Sequence, residues 1–151
     1  APSYLARHGE PSHWEELALA RCLNYGHTTT LQRWQLTQNG ETIAVPINSA
    51  LCSNNGDVLR AAALAGRGIT KLPTFLVGPD IKAGRLSIVL AEYPPTDLTI
   101  YALYTPNRYL AAKTRVFIDF LTRRFGGEPE WDSHRMPGAG KAAFARGEPL
   151  R

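Results

Sequence analysis

Four histidines, two cysteines and an adjacent glutamate pair are the residues of this chain with the chemistry for catalysis or metal binding. Their spacing argues against both roles. His8 and His13 are separated by a Gly-Glu-Pro break, His27 stands beside three threonines, and His134 lies alone near the C-terminus, so none has a companion at metal-ligand spacing. Glu15 and Glu16 are neighbours, and neighbours on a helix project in different directions, which does not build a carboxylate dyad. Cys22 and Cys52 sit among apolar residues rather than in a Cys-x-x-Cys pair; they read as reduced core thiols, a usage that points to the cytoplasm. The sequence has no Gly-x-Ser-x-Gly, no phosphate-loop motif and no Gly-x-Gly-x-x-Gly, and Gly66-Arg67-Gly68 is only long enough to end a helix. Neither a metal, a cofactor nor a catalytic residue is expected, and an enzyme is the minority reading.

The stretch Asn54-Asn55-Gly56-Asp57 has a better claim, as a binding turn. These residues turn a chain and cap a helix, and that alone accounts for them. A helix N-terminus at the carboxyl end of a parallel strand also presents free backbone N–H groups and a favourable dipole to an anion, and asparagine side chains add donors. Asp57 opposes an anion unless its carboxylate is turned onto the capping N–H groups.

The flanking residues supply the elements that would hold such a turn. Ser49 to Ser53 is a short apolar run. Val58, Leu59, Ala62 and Ala65 recur at helical spacing, and Gly66 and Gly68 follow as helix-ending glycines. Ile69 to Leu72 is a second extended run that Pro73 stops. Strand, turn, Ala-rich helix and strand with little room between them describe a right-handed crossover in a parallel sheet.

Upstream, Pro2 to His8 reads as a short helix closed by Gly9, and Ser12 with Glu15 has the spacing of a capping box for a second helix that buries Trp14, Leu17 and Ala18. Arg21 to Tyr25 is a strand and Gly26 to Thr30 the loop after it. Arg33 to Thr37 and Thr42 to Ile47, joined through Asn39-Gly40, form a hairpin with Trp34 and Leu36 on one face. Downstream, Thr74 to Val77 reads as a helical turn, Gly78-Pro79-Asp80 as a break before a second turn around Ile81, and Leu86 to Leu90 as a strand. Pro94-Pro95 marks an internal boundary. Leu98 to Tyr104 follows as a strand and Leu110 to Phe125 as an amphipathic helix; residues 128–151 have the composition of a mobile tail.

The chain has 151 residues, 44% hydrophobic and 20% charged, enough for one sizeable core and against general disorder. The net charge of +4 would suit an acidic partner, but its distribution argues otherwise. The excess lies in residues 98–127, where Arg108, Lys113, Arg115, Arg123 and Arg124 face only Asp119, on or beside one helix. A solvated helix face explains that, and the chain alone is not expected to read DNA. No apolar run approaches the ~20 residues of a membrane-spanning helix, no signal-peptide pattern opens the chain, and residue 1 is Ala rather than Met, as in a piece of a longer protein.

The phrase NNGDVLRAAALAGRGITKLPTFLVGPDIKAGRL (54–86), with APSYLARHG (1–9) before it and TIYALYTPNRYLAAKTRVFIDFLTRRF (99–125) after it, closely resembles the effector-binding domain of LysR-type transcriptional regulators. The resemblance runs through about residues 1–125 in unbroken order. It implies an α/β chain of the type 2 periplasmic-binding-protein-like fold, with a mostly parallel sheet flanked by helices. Residues 1–95 would be the second of two effector subdomains, 96–127 a strand and helix returning to the first, and 128–151 a tail. It also implies a small organic effector, often a carboxylate, bound in the cleft between subdomains. The lining would come from Asn54, Asn55 and Gly56, from the loop carrying Gly26, His27 and Thr28, and from the crossover near Thr105. DNA would be contacted only through a winged helix-turn-helix N-terminal to this chain, and the parent protein would be a cytoplasmic homo-oligomer with no membrane contact. Since the helix over Leu110 to Phe125 would lack the subdomain it packs against, the isolated chain is expected to form a homodimer. A solute-binding domain of the same fold is the alternative reading, because fold does not fix function.

Overall fold

A computed structural model describes residues 1–27, 32–96, 103 and 111–125 of the chain. Two compact units are distinguished, Ala1–Thr96 and Asp97–Arg151. The first contains helix α1 (Pro2–His8), a 3-10 turn (Trp14–Ala18), strands β1 (Cys22–Tyr25), β2 (Arg33–Gln38), β3 (Glu41–Pro46) and β4 (Ser49–Ser53), helix α2 (Gly56–Leu64), strand β5 (Ile69–Thr70) and helix α3 (Thr74–Lys82). Of the second unit, helix α4 (Ala112–Phe125) is described.

Three parallel strands in the order β4-β1-β5 form the central sheet. The crossover expected from Ser49 through Leu72 is there, with β1 lying between its two strands rather than outside them. Helix α2 makes that crossover. It starts because Asn55, in an extended conformation, accepts the Asp57 N–H on its side-chain oxygen at 2.8 Å. It stops because Gly66 turns left-handed (φ 66°), letting Gly66 N–H reach Ala63 O at 2.9 Å and Arg67 N–H reach Ala62 O at 3.0 Å. Between those ends Leu59 and Ala63 pack on Leu23 of β1, with Val77 of α3 and Leu86 completing the cluster. Leu59 is fully buried, which contributes roughly 1.5–3 kcal/mol.

The second core lies around the β2–β3 hairpin. Asn39 (φ 52°) and Gly40 (φ 83°) both take the left-handed conformation that a two-residue hairpin turn demands, as the Asn-Gly dipeptide promised. Trp34, Leu36 and Val45 then share a face and pack with Leu17, Cys22 and Ile47. Burial pushes the Cys22 thiol up to about 12, so it is an inert core residue; both cysteines are free. Pro94 and Pro95 lie along the other edge of β2, where Thr37 N–H donates to Pro94 O at 2.8 Å.

Helix α1 is tied down at two points. The Tyr4 hydroxyl accepts the Arg21 N–H at 3.0 Å, and the Arg7 guanidinium donates to Gly66 O at 3.0 Å. On the far side of α2, Asp80 is fully buried and its carboxylate takes Arg60 on one oxygen and Arg85 on the other, with Arg85 Nε at 2.9 Å. The Asp80 backbone oxygen also accepts the Arg85 and Leu86 N–H groups, so one residue fastens α2, α3 and the chain after α3.

Four local expectations are corrected. The N-cap of the first turn is His13, not Ser12, and the reciprocating carboxylate is Glu16, which accepts from Ser12 N, Ser12 Oγ and His13 N. The element is a 3-10 turn, whose shorter repeat moves the cap, and Ala18 is exposed rather than buried. Thr74 to Lys82 is one helix that runs through Gly78-Pro79: Pro79 is exposed, and the buried Val77 and Asp80 on either side hold the helix together. Leu86 to Leu90 is not a strand. Leu86 points into the α2 core, Leu90 has φ 54°, and no described strand pairs with the segment. Finally, β5 ends at Thr70 rather than Leu72. The strand expected over Leu98 to Tyr104, apart from Leu103, and the 128–151 segment lie outside the described residues. Among the described residues no helix is long and apolar enough to cross a membrane.

Candidate ligand site

All three strands of a parallel sheet end on the same edge, so β1, β4 and β5 deliver Gly26, Asn54 and Lys71 to one end of the sheet. Two of these exits are joined directly: Gly26 N–H donates to Ser53 O at 3.1 Å, which sets the Gly26-His27 loop beside the Asn54-Asn55 turn. The turn itself is fixed from below, since Asn55 N–H donates to Ser53 Oγ at 3.1 Å. Asn54, Asn55 and His27 are exposed at this edge, and Gly26 and Gly56 are half-buried. The Asn55 carbonyl oxygen is committed to the cap of α2, while its amide donors take no part in that cap.

Gly56 has a steric reason to be glycine: a Cβ there would come within 2.6 Å of Leu76 Cδ1. Its contribution to a ligand is therefore its backbone N–H at the first turn of α2. At Gly26 a side chain would lie 3.6 Å from Asn24 Nδ2 and 3.7 Å from Cys52 Sγ, ordinary contact distances, so the glycine leaves those two polar atoms bordering the loop. Thr28 and Thr105, the remaining expected lining residues, lie outside the described residues.

Beneath the loop, Asn24 is 5% exposed and held from two sides. Its Oδ1 accepts Trp34 Nε1–H at 2.9 Å and its Nδ2 donates to Gln32 Oε1 at 2.7 Å, so its amide plane is fixed. Asn24 was not singled out by sequence; the available signal was a carboxamide inside the otherwise apolar strand Cys22–Tyr25. Lys71 was missed likewise. It follows β5 directly, is half-buried, and burial pulls its ammonium below the ordinary lysine value. Among the described residues no group of three His, Cys, Asp or Glu is placed to hold a metal ion. The edge therefore offers hydrogen-bond donors and one cation, the equipment for holding a small polar or anionic molecule rather than for transforming it.

Residues 1–126 match the LysR substrate binding domain family. The chain is 35% identical over 128 residues to the HTH-type transcriptional regulator CrgA of Neisseria meningitidis, covering 83% of this chain and 42% of that protein. It is 36% identical over 130 residues to the regulator PtxR of Pseudomonas aeruginosa, covering 85% of this chain and 41% of that one. It thus spans less than half the length of these curated relatives. The full-length structure of the Vibrio cholerae virulence activator AphB superposes with a TM-score of 0.68 at 33% identity, over 80% of this chain and 41% of that chain. The CrgA regulatory domain superposes with a TM-score of 0.62 at 32% identity, over 82% and 60%. With its parallel sheet, its flanking helices and its match through residue 126, the chain belongs to the LysR substrate binding domain family, the effector-binding regulatory part of LysR-type transcriptional regulators and not a family of enzymes.

Proposed function

We propose that this chain senses a small organic effector at the carboxyl edge of its β4-β1-β5 sheet, using Asn54, Asn55 and the Gly56 N–H from one loop and Gly26 and His27 from the next, on behalf of a cytoplasmic DNA-binding regulator. The observation that carries this reading is the Gly26 N–H to Ser53 O hydrogen bond, which brings the two loops to one place at the mouth of a parallel sheet. Effector binding acts by population shift: the ligand favours whichever arrangement of the regulator binds it more tightly, and the DNA-binding winged helix-turn-helix of the parent protein reports that arrangement. The chain itself supplies no DNA-reading element in this scheme.

The test is Asn55→Asp in the full-length regulator. Asparagine and aspartate cap helices about equally well, so α2 is kept, whereas an alanine would cost about 1 kcal/mol. Asp removes the amide donors and adds a negative charge at the edge. In a reporter strain, under the growth condition that switches the wild type, the response is expected to fall at least tenfold with operator binding unchanged. A normal response returns the turn to a capping role alone.

The partner we propose for α4 is a second copy of the chain. Val116, Phe117 and Phe120 are each more than half exposed, and covering them would return roughly 1.5–3 kcal/mol apiece. Sedimentation velocity at micromolar concentration is expected to show a dimer that Phe117→Ser with Phe120→Ser dissociates; a wild-type chain that stays monomeric overturns it.

A further inference from the structure

The sheet register places a second polar feature at the same edge. β1 pairs with β4 so that Asn24 lies opposite Cys52, and with β5 so that Cys22 lies opposite Ile69 and Leu23 opposite Thr70. One further step of that register sets Lys71 beside Asn24. Cys52, Asn24 and Lys71 therefore stand in a row across the three strands, one level short of the carboxyl edge. By alternation the row shares its face with Cys22 and Ile69, which belong to the hairpin core. The face is thus apolar below and polar at its last level.

Within this row Lys71 is the residue that packing does not explain. It is half-buried between Thr70 and Leu72, a place an aliphatic side chain would fill at no electrostatic cost. Among the described residues no carboxylate lies within ion-pair distance of it: the described pairs are Arg60 and Arg85 with Asp80, and His13 with Glu15. A cation withdrawn from water without a partner is unfavourable and is stabilised by an anion brought to it. Its neighbour Asn24 is already fixed by Trp34 and Gln32, so the surroundings are preorganised.

We propose that Lys71 reads the charge of the effector, pairing its ammonium with a carboxylate of a small organic anion that lies over Asn24 and beside the Asn55 turn. This rests on the effector-sensing reading above and adds to it the charge class of the ligand and the residue that selects it. Lys71 is the cation and the exposed turn donors take the remaining polar atoms, so a neutral molecule of the same shape is discriminated against.

Isothermal titration of the purified chain tests this with three matched pairs as probes: acetate with acetamide, benzoate with benzamide, and succinate with succinamide. At least one carboxylate is expected to bind wild type ten or more times more tightly than its amide. Lys71→Met should abolish that preference and Lys71→Arg should retain it. Met fits the same space without a desolvated charge, so its melting temperature is expected to match or exceed wild type. The proposal is overturned if Lys71→Met keeps the preference, if acid and amide bind wild type equally, or if none of the carboxylates binds. The Asn55→Asp reporter result is read without reference to ligand charge, so failure here leaves the sensing reading to be decided by that experiment.

Discussion

Asp80→Ala is expected to lower the stability of the first unit by about 3 kcal/mol, because it strips the common partner from two guanidinium groups and leaves their former site empty. For a unit of this size that corresponds to a fall in melting temperature of more than about 10 °C. The same carboxylate predicts the acid side of the stability curve. The Arg60 hydrogen bond, aided by Arg85, holds the Asp80 carboxyl below its ordinary value. A depressed folded-state pKa means that the stabilisation is fully present above the unfolded value, near ~3.9, and is lost as pH falls through the folded one. Urea unfolding of wild type and variant should therefore differ most at neutral pH and converge below about pH 4 as the wild-type carboxyl protonates. A neutral-pH difference under about 1 kcal/mol would show that the two arginines are solvated well enough to dispense with Asp80.

Gly68→Ala should be comparably damaging, by about 3 kcal/mol, and for a different reason. A Cβ at residue 68 would stand 2.2 Å from the Arg21 carbonyl oxygen and 3.1 Å from Leu23 Cγ. That oxygen cannot retreat, because it accepts the Ile69 N–H at 2.9 Å and so begins the pairing of β5 with β1. Relief requires β5 to move off the sheet. As β5 has only two residues, the strand is expected to detach, carrying Lys71 away from Asn24. Amide exchange reports this directly: the Ile69 N–H should lose protection in the variant while the β2–β3 amides keep theirs. Retained protection at Ile69 with an unchanged melting temperature would refute the steric account.

These cases show where sequence reasoning reached the structure. Asn39-Gly40 announced the hairpin because the chemistry of that turn is local, and Asn54 to Gly66 announced a capped helix for the same reason. Periodicity and caps are properties of neighbours in the chain. Gly68 was legible only as a helix end, since the carbonyl it must clear belongs to Arg21, far away in sequence. Thr74 to Lys82 was split at Pro79 because local propensity there is poor and the burial of Val77 and Asp80 overrides it. Leu86 to Leu90 failed in the opposite sense: an apolar run supplied the composition of a strand, but a strand also needs a partner. Of the candidate site, the turn and the Gly26 loop were readable as exits from strands, and the named LysR-type resemblance directed attention to them. Asn24 and Lys71 were not readable, because a lone polar residue in an apolar run acquires meaning only when the register shows what stands beside it.

The order β4-β1-β5 has a consequence for how the chain is made. β1 is the middle strand of the sheet but the first to be synthesised, and both of its partners follow the hairpin. At ribosomal rates of roughly 5–20 residues per second, Cys22–Tyr25 waits on the order of seconds before either flank exists. During that interval the nascent chain carries an apolar segment with two open edges, while the β2–β3 hairpin, whose contacts are short-range, forms on the microsecond scale. The hairpin core, to which Cys22 contributes, is then the natural early shelter for β1, and the ligand edge, which requires β4 and β5 as well, is the last part of the unit to be assembled.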